Sequence, residues 1–78
     1  MELQKIMEEQ WSFILYKANS SYYLTVICGE VGMYEVNFEL NSKENQLIEN
    51  KEEFIKFVHS IQANPSPYVY RNKDFQSI

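Results

Sequence analysis

The chain contains one cysteine and one histidine, Cys28 and His59, which together could supply a thiol nucleophile and its base. Such a pair requires the base within hydrogen-bonding distance of the thiol and a third group that orients the base. Cys28 alternates with Leu24 and Val26, and a free cysteine in such a segment usually behaves as a small buried hydrophobic residue. We therefore predict that the protein is not an enzyme, with catalysis or metal binding by Cys28, His59 and a glutamate as an alternative.

Metal and cofactor motifs are absent from the sequence. It has no Cys-x-x-Cys pair, no His-x-x-x-His pair and no aspartate-rich loop of the EF-hand type. Gly29 and Gly32 are not accompanied by the lysine or the third glycine of a phosphate-binding loop, and they fit a turn that requires positive φ. The sequence predicts no cofactor and no metal site.

Paired carboxylates occur at Glu35 and Glu39, with Asn37 between them. On one face of a strand, the backbones of Glu35 and Glu39 would be about 13 Å apart. This separation is wide for the two carboxylates of a glycosidase. A solvated sheet face accounts for these residues equally well.

Three segments rich in β-branched and aromatic residues predict the strands that carry these groups, at 11–17, 22–28 and 33–40. The third segment alternates, so that Val36 and Phe38 belong to a buried face and Glu35 and Asn37 to the opposite face. The middle segment is apolar on both sides, which is typical of a central strand.

Two helices are predicted to flank the strands. Leu3, Ile6 and Met7 have the spacing of one helical stripe and predict a helix at 2–10. A second apolar stripe predicts a helix at about 50–63, where Asn50 and Glu53 have the spacing of a capping box. Residues 64–78 are expected to be an irregular tail.

The predicted fold class is α+β, with residues 1–78 forming a single domain. Its expected architecture is a three-stranded antiparallel β-meander with an N-terminal and a C-terminal helix packed on one face. No apolar run approaches the roughly 18–20 residues that span a bilayer, and the polar N-terminus does not resemble a signal peptide. A cytoplasmic protein without a membrane partner is therefore expected.

Charge is distributed unevenly along the chain. The net charge is −4, while residues 30–53 contain seven glutamates and two lysines. Because the aromatic residues are interleaved with glutamates, we expect no nucleic-acid partner. An acidic region suits a basic protein partner, although acidic surface also serves solubility alone.

Three stretches of the chain resemble a family. They are residues 23–36 (YLTVICGEVGMYEV), residues 40–44 (LNSKE), and the spaced set Asn64, Pro65, Tyr68 and Arg71. This pattern resembles small bacterial immunity proteins of polymorphic or contact-dependent toxin systems. The resemblance implies that the protein binds and neutralises the C-terminal domain of a toxin, often a nuclease, inside the producing cell.

The predicted function is neutralisation of a basic toxin domain by occlusion through an acidic surface. The residues expected to bind this partner lie in the second hairpin loop and on the outer sheet face: Tyr23, Glu30, Glu35, Asn37 and Glu39. The alternative is a non-enzymatic adaptor or a self-associating module, such as a homodimer, that uses the same face or a free strand edge.

Overall fold

The computed structural model describes residues 2–29, 32–73 and 75. Four strands form one antiparallel sheet in the order β1-β2-β3-β4, so that consecutive strands are neighbours. The elements are β1 (Gln4–Glu9), β2 (Phe13–Ala18), β3 (Ser21–Cys28), β4 (Tyr34–Glu39), α1 (Ser42–Leu47), α2 (Lys51–Ala63) and α3 (Ser66–Val69).

The N-terminal segment is a strand, and the prediction of a helix at 2–10 is wrong. Strand β1 pairs with β2 from Gln4 opposite Lys17 to Glu9 opposite Phe13, so the sheet has four strands instead of three. A bulge between Lys5 and Met7 inserts Ile6 as an extra residue. This insertion breaks the alternation of a regular strand and produces the three- and four-residue spacing that is typical of a helix.

The three predicted strands are confirmed within two residues of their expected bounds. Each joins its neighbour through a hairpin, and β3 is central, with β2 and β4 on either side. The turn between β2 and β3 places Asn19 at φ 57°, in the left-handed region that asparagine tolerates better than most residues.

The predicted helix at about 50–63 is present as α2. Asn50 caps it by accepting hydrogen bonds from the backbone N–H groups of Glu52 and Glu53. The reciprocal capping box occurs instead at α1, between Asn41 and Glu44. The tail from residue 64 is not wholly irregular, because α3 forms with a proline in its first turn, where the missing N–H has no helical acceptor.

The core lies between α2 and one face of the sheet, which we call the inner face. Phe54, Val58 and Ile61 of α2 are buried there in one cluster with inner-face residues such as Leu24 and Phe38. None of the helices within the described ranges has the length and hydropathy that crossing a membrane requires. We call the opposite sheet face the outer face.

Candidate functional site

The outer face is organised in rows that follow the strand register. One row runs across three strands through Tyr16, Tyr23 and Glu39, and the next runs through Ile14, Thr25 and Asn37. Ile27 pairs with Glu35 one row further along. The first row and the last row have different environments, so the outer face has two halves.

The covered half lies around Tyr16, Tyr23 and Glu39, beneath described residues that follow α3. The Phe75 ring packs edge-on against Tyr16 and Tyr23, with centroid distances of 6.0 and 5.6 Å. These contacts help to leave Tyr23 only 6% exposed, although it belongs to the outer face. We call the residues that reach this half, Asn72, Lys73 and Phe75, the C-terminal strap.

The strap also occupies the edge of β4 at Asn37. The Lys73 backbone N–H donates to the Asn37 carbonyl at 2.6 Å, and the Asn37 backbone N–H donates to Asn72 Oδ1 at 2.8 Å. The Asn37 side chain accepts from the Thr25 hydroxyl at 2.6 Å. Asn37 is therefore engaged on its backbone and its side chain by other residues of the chain.

The residues predicted to bind a partner are consequently divided. Tyr23 and Asn37 are covered, and Glu39 lies 3.8 Å from the Lys73 ammonium. Glu35 is exposed on the other half. Glu30 lies outside the described residues.

The open half is centred on Trp11, which sequence reasoning assigned to the first strand. Its side chain is 73% exposed in the turn between β1 and β2, where the Ser12 N–H donates to the Glu9 carbonyl at 3.0 Å. Trp11 has φ 63°, a conformation that costs a residue with a side chain about 1–2 kcal/mol. Backbone strain of this kind concentrates at functional sites.

Among the described residues, three open concavities border Trp11, one of them toward Gln62 and Ala63 at the end of α2 and the other two beside apolar residues of the sheet. The last two form the surface described below. One, of about 210 Å³, lies on the Ile14 side, and the other, of about 200 Å³, lies on the Met33 side. Ile27 lines both of them. We call Trp11, Ile14, Ile27 and Met33 the open patch.

Negative charge surrounds the open patch. Glu8 and Glu9 line one concavity and Glu35 the other, and no lysine or arginine is found among the described residues that line either. Glu8 forms an ion pair with Lys5 at 3.1 Å, which offsets its charge. Glu9 and Glu35 are therefore the carboxylates best placed to pair with a cation of a partner.

The C-terminal end of α2 adds to this field. Gln62 in its last turn donates to the Ile27 carbonyl at 3.1 Å, which places the negative end of the helix dipole beside the patch. The last turn of α2 contains no basic residue that would offset this dipole. The open patch is thus an apolar surface in a negative field.

Substitution of Trp11 by glycine tests the strain in this turn. Because glycine adopts positive φ without steric cost and little Trp11 surface is buried, Trp11→Gly should raise the free energy of unfolding by about 0.5–1 kcal/mol. Urea unfolding of both chains measures the difference. A destabilised glycine variant would contradict the inference of strain.

The cysteine and the histidine lie in different environments. Cys28 is buried on the inner face, where desolvation raises the pKa of its thiol and favours the neutral form. His59 is exposed on α2. Across the described part of the chain, no group of three or more metal-ligating side chains is found.

A partly buried ion pair joins several positions on which the family resemblance rests. Arg71 donates to both carboxylate oxygens of Glu44 at 2.8 Å, while Glu44 also accepts from the Asn41 backbone N–H. The Arg71 guanidinium lies over the rings of Phe38 and Tyr68. Its hydrogen bond to Glu44 raises the pKa of Arg71 above its ordinary value. These contacts give Asn41, Glu44, Tyr68 and Arg71 a structural role.

Comparison of the chain with protein-family models, with curated proteins and with solved structures found no match. The basis for a function is therefore the surface itself. The two halves of the outer face differ: the open patch exposes Trp11 among carboxylates, and the covered half is occupied by the C-terminal strap.

Proposed function

We propose that the protein is a non-catalytic binding protein that neutralises a basic protein domain by covering it with the open patch. The exposure of Trp11 on a strained turn carries this proposal. Tryptophan is among the residues that most often anchor protein interfaces, especially where apolar surface has a polar rim. The family resemblance adds that the partner is a toxin domain.

The charge around the patch supports a basic partner. Glu9 and Glu35 border the apolar concavities, and complementary charge accelerates encounter and rejects acidic partners. A domain that acts on nucleic acid holds phosphates with lysine and arginine side chains. An acidic surface placed over those side chains competes with the substrate, so occlusion alone suffices for inhibition.

The proposal is tested by recovering the partner with the tagged protein from its native cell lysate. We expect a basic protein in near-stoichiometric amount, and we expect Trp11→Ala to weaken its binding about 10–30-fold, or about 1.4–2 kcal/mol. Tyr70→Ala is the matched control, because Tyr70 is an aromatic residue that is 92% exposed and lies outside the patch.

A charge reversal gives the second arm of the same test. Glu35→Lys should slow association, whereas Glu52→Lys, which changes an exposed glutamate on α2, should not. Added salt should reduce the difference between the two variants. Equal binding by the native chain and by Trp11→Ala would contradict the proposal, as would a partner without basic character.

Self-association through β1 is the second candidate function, and one observation favours it. The edge of β4 is occupied at Asn37 by the strap, while β1 is the other edge of the sheet and is exposed along most of its length. Its bulge and its charged residues are features that discourage strand addition. A monomer whose sedimentation does not depend on concentration would eliminate this alternative.

A further inference from the structure

We infer that the C-terminal strap stands in for a segment of a partner, and that the covered half of the outer face is a second binding surface. Its ligand would be a protein segment that carries a cation and, two residues later, an aromatic side chain. This surface is separate from the open patch, and the inference does not depend on Trp11.

The edge of β4 provides the backbone part of this surface. At Asn37 both the N–H and the carbonyl point to the strap, which satisfies one with a side-chain amide and the other with the Lys73 backbone N–H. An extended segment could supply both partners from its own backbone, as in recognition by strand addition. The resident strap therefore makes only part of the pairing that this edge allows.

The two tyrosines provide an aromatic slot. Tyr16 and Tyr23 are neighbours across β2 and β3, and both present their rings to Phe75 in edge-on geometry. This geometry is the preferred one for aromatic pairs, so the slot selects an aromatic side chain over an aliphatic one.

Glu39 and the Tyr23 ring provide the cation site. Lys73 Nζ lies 3.8 Å from Glu39 Oε1 and 5.9 Å from the centroid of the Tyr23 ring. The Lys73 and Glu39 side chains are both about half exposed, so water screens this contact. An arginine in a partner segment could bind the carboxylate with two donors and stack on the ring, which a lysine cannot do.

A partner segment would have to displace the strap. The chain is anchored at Arg71 by Glu44, and beyond that point the described contacts that oppose the backbone entropy lost on ordering are two hydrogen bonds at Asn37, the half-exposed Lys73–Glu39 pair and the ring contacts of Lys73 and Phe75. Because the anchor is only a few residues away, the effective concentration of the strap is about millimolar. A partner segment that binds the surface no more tightly than the strap must therefore be present above this concentration, or it must gain affinity from a further contact.

A synthetic peptide with the sequence of residues 72–78 is the probe, and the full-length chain and its Phe75→Ala variant are the receptors. We expect Phe75→Ala to shift the NMR signals of Tyr16, Tyr23 and the Asn37 amide. Millimolar peptide should return them toward their native positions in the variant while affecting the native chain much less. The same peptide carrying Phe75→Ala should bind the variant about tenfold more weakly.

Three results would overturn the inference: unchanged tyrosine signals in Phe75→Ala, no binding of the peptide to this variant, or equal binding to the variant and the native chain. Tyr70→Ala is the matched control, since Tyr70 is an exposed aromatic residue just before the strap. In this control the native signals should remain and the peptide should bind no better than to the native chain. If this inference is overturned, the proposed function of the open patch still stands, because neither the peptide nor the Phe75→Ala substitution involves Trp11.

Discussion

Phe38→Ala is expected to lower the free energy of unfolding by about 3–5 kcal/mol. Phe38 is fully buried on the inner face of the edge strand β4, opposite Leu24. Its ring also packs against Tyr68, with centroids 5.3 Å apart, and lies 4.7 Å below the Arg71 guanidinium carbon. Removal of the ring would open a cavity where the sheet, α3 and Arg71 meet.

Such a loss is large for this protein, because a chain of 78 residues has a total stability of about 4–12 kcal/mol. Urea unfolding followed by circular dichroism measures it, and the alanine variant should unfold at a markedly lower urea concentration than the native chain. Phe38→Leu should recover part of the stability, and Met33→Ala, at an exposed position, should change it by less than about 0.5 kcal/mol. A loss below about 1 kcal/mol for Phe38→Ala would contradict the packing described.

Arg71→Ala is expected to cost about 2–3 kcal/mol. Arg71 makes two hydrogen bonds to the Glu44 carboxylate and one to the Glu39 carbonyl, each at 2.8 Å. Without the guanidinium, Glu44 would remain a buried carboxylate with the Asn41 N–H as its described donor. Breaking a fully buried pair costs about 3–5 kcal/mol, and the 34% exposure of the Arg71 side chain reduces this value.

The same denaturant measurement tests this expectation. Arg71→Lys should recover less than half of the loss, because an ammonium group cannot bind both carboxylate oxygens in the fork geometry of a guanidinium. Lys56→Ala is the control, since Lys56 and Glu53 form an exposed pair at 3.7 Å that should contribute less than about 0.5 kcal/mol. An equal loss in Arg71→Ala and Lys56→Ala would show that the pair is not structural.

Local patterns predicted much of the fold. Runs of β-branched and aromatic residues identified β2, β3 and β4 within two residues, and the apolar stripe with Asn50 as its cap identified α2. The same reasoning failed for β1, where a bulge imitates helical spacing. A bulge depends on the neighbouring strand, so a pattern along one segment cannot reveal it.

The candidate surface was predicted only in part. Glu35 was placed correctly on an exposed face, while Tyr23 and Asn37 are covered by the strap. Trp11 was missed because its type fits a strand, and its distinguishing features, a positive φ and high exposure, are properties of the folded turn. The only indication in the sequence that Trp11 lies in a turn was its position between a glutamine and a serine, directly before an apolar run.

The properties that depend on near neighbours along the chain were predictable without the structure: the acidic charge, the β-branched and aromatic runs of β2 to β4, and the apolar stripe of α2 with its cap. The tertiary structure alone decided that Arg71 meets Glu44, that Phe75 covers Tyr23 and that Trp11 stands free among carboxylates. The first two contacts join residues 27 and 52 positions apart. Such contacts form only after the whole sheet has brought distant segments together, because the entropy of closing long loops must be overcome by many contacts at once.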